Sequence, residues 1–406
     1  MVFKIKILIK GLIFLDLTTF SDMFTGIFWF MEKIMVEKKP PFELTLIITH
    51  RCNLNCVYCY EHHKDSRKMD VEFAKKTVEK YLTTGDYEEI KIGFFGGEPF
   101  LEFPVIKEVC EWTWSRNWPK SYCFYADTNG TVLTDEIKEW LVAHKSYFYM
   151  CLSLDGAKKT HDLNRNNSFD KIDLDFFHKN WPDEPVKMTI SDKNLPDLAE
   201  DFIFMHEKGF KINGSNFAEG QNIKDPGKNL EIITEQLFKL ADWYVAHPEV
   251  EPAQIFTLPL SRCEAKKEYR RQCGIGGNGM RVIDLDGQEY FCTYSSPISM
   301  NEEQIAEIKK MDLSDENLFI NDDCFNNCYL FPVCVDCYAA NFASTGSFAE
   351  KSQLKCELAK IKAVANAYFQ GKRFLSKNMS EITEKEKQTI KAVLKINSLF
   401  GGKRVQ

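Results

Sequence analysis

The chain has 406 residues, 44% of them apolar, with 14 cysteines and a formal net charge of −7. That length suits about two or three domains with packed cores, and the acidic balance argues against a general nucleic-acid or anionic-membrane role. So many cysteines in a long chain without a secretory signal read as metal thiolates in a reducing cytoplasm, not as a disulfide framework.

The chain opens on an Ile-, Leu- and Phe-rich stretch, but Lys10, Asp16 and Asp22 interrupt it. No uncharged span of membrane length exists there, and no small-residue cleavage site follows. We expect 1–42 to be an N-terminal extension, with translation starting near Met35. The run 43–49 (ELTLIIT) reads as a buried strand. Asp70 opens a helix in which Phe73, Ala74, Val78, Tyr81 and Leu82 share a face. Strands are predicted at 90–95, 122–126, 148–154, 186–190 and 210–217. Helices are predicted near 105–114, from Thr134 onward, at 198–206 and at 229–246. This is a β/α alternation with six strands, and parallel β/α barrels carry chemistry at the C-terminal ends of their strands. The basic stretch Lys266, Lys267, Arg270 and Arg271 reads as a solvated loop. Residues 377–406 are charged and helix-forming, and are expected to pack loosely or to extend a second domain.

Directly after the first strand, Cys52, Cys56 and Cys59 share an eight-residue loop. Three thiolates could hold a cubane 4Fe–4S cluster with one iron left open. They could also form a zinc knuckle, or simply be buried small apolar groups. The C-x3-C-x2-C spacing, with Tyr58 before the last Cys, resembles the signature of the radical S-adenosylmethionine (SAM) enzymes. The resemblance continues through Gly96-Gly97-Glu98-Pro99, Thr128-Asn129-Gly130, Ser153-Leu154-Asp155-Gly156, and His161-Asp162 with Arg165. It implies a partial (β/α)6 barrel over 43–250, open on one side. It also implies that the open iron chelates SAM and that an electron splits the sulfonium to a 5′-deoxyadenosyl radical. The Gly96–Pro99 segment would receive the SAM ammonium, and Arg165 would face its carboxylate. Tyr58, Asn129, Ser153 and Asp155 would join them around the cofactor.

Beyond residue 260 lie eight more cysteines, with Met280 to Cys292 reading as a hairpin that turns at Asp286-Gly287. Eight thiolates suffice for two fully ligated cubanes, or for two zinc sites. The segment resembles the SPASM domain of radical SAM enzymes that modify peptides and proteins, and we assign it to 251–360, followed by a helical tail over 361–406. Gly287 to Cys292 fits its Gly-x4-Cys element, while the C-x3-C-x5-C-x2-C run departs from the common C-x2-C-x5-C-x3-C. By position the resemblance gives one auxiliary cluster to Cys273, Cys292, Cys337 and Cys263, and the other to Cys324, Cys328, Cys334 and Cys356. Cys110 and Cys123 read as core thiols, whereas Cys151 is a candidate to face the cavity as a hydrogen donor.

The expected cofactors are therefore SAM and three 4Fe–4S clusters. The expected substrate is a small ribosomally made precursor peptide, cross-linked through a thioether or C–C bond. Sulfatase maturation to formylglycine and peptide epimerisation remain alternatives, although Thr293 stands where sulfatase-maturing enzymes carry an Asp. The resemblance further implies a low-potential donor such as flavodoxin or ferredoxin, and leaves room for a separate leader-binding protein. An iron–sulfur scaffold without catalysis would explain the cysteines but not Glu98, Asp155 or Arg165.

Overall fold

The computed structural model describes residues 41–219 and 226–401, apart from 270, 272, 278, 376, 379 and 381. The expected start near Met35 lies outside the described residues. The 43–49 run forms β1 (Phe42–Thr49), almost every side chain of which is buried. A parallel strand covered on both faces needs such an unbroken apolar, β-branched run.

Five further β/α steps follow. They are α1 (Val71–Thr83), β2 (Glu89–Gly96), α2 (Phe103–Trp114), β3 (Ser121–Thr128), α3 (Asp135–His144) and β4 (Phe148–Leu152). Next come α4 (Lys158–Asn164), α5 (Leu174–Asn180), β5 (Val186–Ile190), α6 (Leu198–Glu207), β6 (Ile212–Phe217) and α7 (Pro226–Ala246). Local chemistry sets the helix starts: the Asp70 carboxylate accepts from the Phe73 N–H at 2.9 Å, and Thr134 caps α3 through Ile137. Ala74, Val78, Tyr81 and Leu82 of α1 are buried, as their spacing requires.

Strands β1 to β4 pair in parallel in the order β4-β3-β2-β1, and β5 pairs in parallel with β6. A Ser153–Lys187 bridge, with the Leu154 N–H donating to the Lys187 carbonyl at 2.9 Å, joins the two halves. The result is the open partial (β/α)6 barrel. Its β1 edge is covered by β7 (Met280–Ile283), which pairs in parallel with β1, and by β8 (Glu289–Tyr290), antiparallel to β7. The cysteine-rich segment thus begins by extending the barrel sheet.

The rest of that segment consists of α8 (Glu302–Ile308), α9 (Asp322–Asn327), α10 (Tyr338–Thr345), α11 (Gln353–Leu375) and α12 (Glu384–Phe400). It packs around an apolar cluster that includes Ile47, Ile275, Val282, Tyr290 and Phe342. The sequence boundary at 360 falls inside α11. The charged tail does not pack loosely: α12 buries Ala392, Val393 and Ile396 against Leu260, Leu330 and Val364. Burying Val393 and Ile396 contributes about 1.5–3 kcal/mol each. The basic stretch also departs from the expected solvated loop. Lys267 donates to the carbonyls of Phe325 and Asn326, and Arg271 donates to those of Ile275 and Leu313. No helix of the described residues is long and apolar enough to cross a membrane.

At the end of β2, Gly96 has φ +142°, and a Cβ there would lie 2.0 Å from the Thr49 carbonyl oxygen. Neither backbone can yield. Gly96→Ala should therefore lower the free energy of unfolding by about 2–3 kcal/mol. Gly227→Ala, in α7 with nothing within 4 Å, should leave it unchanged or raise it by up to about 1 kcal/mol. Urea midpoints of the two variants check the contrast.

Candidate active site

Four of the motifs singled out in the barrel lie at the C-terminal end of a strand, the cysteine loop after β1, Gly96–Pro99 after β2, Asn129 after β3 and Ser153 after β4, while His161, Asp162 and Arg165 lie in and at the end of α4. The loop is pinned at both ends. At its start the buried His50 Nε2 and Asp284 Oδ1 lie 2.7 Å apart, tying the end of β1 to the turn after β7. Burial opposes a charged imidazole, but the hydrogen bond and charge of Asp284 outweigh it and raise the His50 pKa. Next, the Gly97 N–H donates to the Thr49 carbonyl at 3.1 Å and the Glu98 N–H to the Arg51 carbonyl at 2.9 Å. A Cβ on Gly97 would stand 2.4 Å from the Arg51 oxygen and 2.8 Å from the Cys52 Cβ. The Gly-Gly pair is thus what lets the cysteine backbone lie against the end of β2. Further along, the Val57 N–H donates to the Asn164 carbonyl at 2.9 Å.

Two buried carboxylates organise the floor. The Tyr58 hydroxyl donates to Asp155 Oδ2 at 2.5 Å, and Arg165 grips the same carboxylate through Nε at 2.9 Å and Nη2 at 3.2 Å. The Thr189 N–H adds a bond to Oδ1 at 3.0 Å. Burial works against the Arg165 charge, yet Asp155 holds its pKa above the ordinary value. The guanidinium also lies over the Tyr58 ring, 5.4 Å from its centroid. Arg165 therefore borders the cavity with its charge already paired. Glu98 accepts from the Thr128 hydroxyl at 2.8 Å, the Asn129 N–H at 2.7 Å and the Phe100 N–H at 3.2 Å. Burial still pushes its carboxyl up to about 7. Glu98 thereby locks the end of β2 to the end of β3.

Cys52, Cys56 and Cys59 line a cavity of about 810 Å³ together with Gly96, Gly97 and Glu98. Asn129, Ser153 and Arg165 border the same space, as do Cys273, Cys292, Cys334 and Cys337 of the cysteine-rich segment. Burial raises the Cys52 thiol to about 11 and also raises Cys56, while Arg165 favours the Cys56 thiolate. Binding to iron would displace those protons. The three-thiol loop fits a cubane: the cysteines share one cavity wall, and the missing side chains of Gly96 and Gly97 hold the loop close. Among the described residues no group of three His, Cys, Asp or Glu converges on a single-ion site. A cubane spreads its thiolates over separate corners and does not need such convergence.

The later thiols fall into two neighbourhoods. Burial raises the Cys324 and Cys356 thiols; Cys328 and Cys334 raise both further, and Cys356 adds to Cys324. The Lys351 ammonium stands 3.2 Å from Cys334 Sγ. Cys273 and Cys337 each feel Cys292. Cys263 does not join its three expected partners at the cavity wall: it is buried in one apolar cluster with Leu330 and Val333, with Cys328 as its thiol neighbour. Cys110 is buried in the barrel core, Cys123 is half-buried, and Cys151 donates to the Pro185 carbonyl at 3.1 Å without joining the cavity wall.

Sequence reasoning missed Glu61, whose buried carboxyl lines the cavity and is pushed by burial up to about 7. It also missed that Tyr60 and Thr293 lie within 3.3 Å of one another through their hydroxyls while Tyr60 stacks on Tyr294 at 4.8 Å. Tyr60 and Glu61 directly follow Cys59, which was the one available hint. The partners of Tyr60 (Thr293 and Tyr294) follow β8 far along the chain and carry no local signal.

Residues 46–174 match the Radical SAM superfamily. The cysteine-type anaerobic sulfatase-maturating enzyme of Clostridium perfringens strain 13 is 26% identical over 177 residues, 40% of this chain and 47% of that enzyme. The AdoMet-dependent heme synthase of Methanosarcina barkeri is 24% identical over 336 residues, 75% of this chain and 93% of that one. The chain spans about half the length of several curated relatives that it matches, that sulfatase-maturating enzyme among them. In fold it resembles native anSMEcpe with bound AdoMet and Cp18Cys peptide, with a TM-score of 0.61 and 20% identity, covering 83% of this chain and 98% of that one.

Replacing Asp155 by Asn would leave the Arg165 charge buried without its counter-ion. Unfolding free energy should fall by about 3–5 kcal/mol, read from denaturant midpoints. Behind Gly156, burial pushes the Asp201 carboxyl up to about 8, against hydrogen bonds from the Ala157 N–H and Thr160. A folded-state pKa above the unfolded one gives stability that is fully present below about 4 and is lost as pH rises towards 8. Asp201→Asn should flatten that decline in a series of thermal melts across this range.

Proposed function

We propose, from the premise that residues 46–174 are a radical SAM domain, that the chain is a maturase that oxidatively modifies a polypeptide. Cys52, Cys56 and Cys59 would hold a 4Fe–4S cluster, and Cys273 to Cys356 would supply two auxiliary clusters. When bound, the first cluster and SAM supply a 5′-deoxyadenosyl radical that takes a hydrogen atom from the substrate. The chain's own residues do the rest. Gly96 and Gly97 hold the cysteine loop against β2, Asp155 fixes Tyr58 and Arg165 beneath it, and the open cavity admits the substrate.

The observation that carries this reading is the shared cavity: the radical-generating loop and the later thiols Cys273, Cys292, Cys334 and Cys337 border one space of about 810 Å³. Auxiliary clusters there suit a net oxidation, because they offer an exit for the electron left when a substrate radical closes a bond. The peptide-bound anSMEcpe structure supports a polypeptide substrate. Between the two polypeptide outcomes we favour a thioether or C–C cross-link in a small ribosomally made peptide over formylglycine formation. Thr293, paired with Tyr60, offers no carboxylate to act as a base beside Cys292. A second reading, a tetrapyrrole substrate, draws on the heme-synthase likeness across three-quarters of the chain. The partners that fit are a low-potential flavodoxin or ferredoxin and, for leader recognition, a separate binding protein in a reducing cytoplasm.

Anaerobic reconstitution with SAM and dithionite should release 5′-deoxyadenosine, and Cys56→Ala should abolish the release. Retained cleavage in that variant would refute the assignment. Incubation with a co-encoded small peptide should remove the mass of two hydrogens per bond without creating an aldehyde. A hydrazide-reactive aldehyde would point to formylglycine, and turnover of an iron-coproporphyrin with no change to any peptide would point to the tetrapyrrole.

A further inference from the structure

We propose that Lys362 is the cavity's receptor for a carboxylate of the substrate: an acidic side chain of a peptide or, for a tetrapyrrole, a propionate. This deepens the reading above that the cavity admits the substrate, and rests on it. Helix α11 turns one face to that space. Lys355, Leu358, Ala359 and Lys362 recur at helical spacing along the wall, with Lys351 just before the helix. Lys362 also borders a narrow recess with Leu258, Leu330, Val333 and Ala363. Such a setting suits a lysine whose methylenes are covered while its head serves the open space.

The other cations of the cavity are engaged. Arg165 grips Asp155, Lys187 stands 2.5 Å from Asp127, and Lys64 bonds to the Cys59 thiol. On the α11 wall, the Lys351 ammonium lies 3.2 Å from Cys334 Sγ, and that of Lys355 lies 2.7 Å from Glu219 and 3.3 Å from Asp336. The Lys362 ammonium has no hydrogen-bond or ion-pair partner among the described residues. Nor are the nearby acids free to serve it. Glu219 is held by Lys355, and Asp336 also accepts from the Cys337 N–H at 2.9 Å and from Asn341 at 2.8 Å. Burial opposes all three ammoniums: the sulfur and carboxylates around Lys351 and Lys355 win and raise their pKa, whereas for Lys362 burial wins and lowers it. A buried charge without a counter-ion is costly, and an incoming carboxylate would complete it through a charge-assisted hydrogen bond. The Cys52, Cys56 and Cys59 loop borders the same cavity, so a substrate anchored at Lys362 shares one space with the radical source.

The test uses the full chain, reconstituted anaerobically with iron and sulfide and supplied with SAM but no reductant, so that binding is read without turnover. The probes are two matched pairs. One is the co-encoded small peptide against its version with every Asp and Glu replaced by Asn and Gln. The other is Fe-coproporphyrin III against an iron etioporphyrin, which lacks carboxylates. Lys362→Met should weaken the carboxylate member of a pair about 10- to 100-fold and leave the uncharged member unchanged. The pair that responds identifies the source of the carboxylate. Lys362→Arg should retain most of the affinity. Removing the ligand's carboxylates and the Lys362 charge together should weaken binding no more than either change alone. Iron content equal to that of the unaltered chain controls for folding of the variants, and the comparison within each pair on the unaltered chain needs no variant. Equal weakening of both members of a pair, no weakening of either carboxylate probe, or an unaltered chain indifferent to the carboxylates of both pairs would overturn the proposal. Release of 5′-deoxyadenosine by the unaltered chain separately judges the radical chemistry.

Discussion

The carboxylate of Asp155 is the tie on which the site depends. It has no solvent exposure and gathers a phenol, a guanidinium and a backbone N–H from three different parts of the chain. Tyr58 belongs to the cysteine loop, Arg165 to the end of α4, and Thr189 to β5. A buried carboxylate is costly to desolvate, and its cost is offset only when every lone pair finds a donor in good geometry. Once it does, the cysteine loop has a single placement relative to the barrel. Tyr58 therefore acts as an internal anchor, which explains why an aromatic with a hydroxyl stands just before the last cysteine.

The second constraint is the contact between the ends of β1 and β2. Without side chains on Gly96 and Gly97, the backbones of Thr49 and Arg51 can accept hydrogen bonds from the following strand's turn. Glu98 then reaches across to β3 with both of its oxygens engaged. Consecutive strand ends are thus stitched by polar groups that are satisfied internally, leaving the Cys52, Cys56 and Cys59 thiols facing the cavity. The cysteine-rich segment completes the far wall because β7 extends the sheet at the β1 edge. His50 and Asp284 fasten that join within the protein interior.

Partition of the thiols follows from packing. Cys292 and Cys337 belong to the apolar cluster around Tyr290 and Phe342, while Cys263 and Cys328 belong to the cluster built under α12. The tail helix therefore has a structural consequence for the placement of the later thiols. By burying Ala392, Val393 and Ile396 beside Leu260 it fixes the turn that carries Cys263, and so removes that thiol from the cavity.

The sequence by itself determined the β/α alternation, because apolar β-branched runs and capped amphipathic helices are local patterns. It also determined the motif positions at strand ends, because glycine turns and the cysteine spacing are written in consecutive residues. Tertiary structure alone decided that Arg165 is already paired, that Glu61 is buried beside Cys59, and that Cys263 and Cys292 lie in different packing clusters. Each of these depends on segments distant along the chain, and burial and electrostatics depend on what surrounds a group in space, which spacing along the chain does not encode.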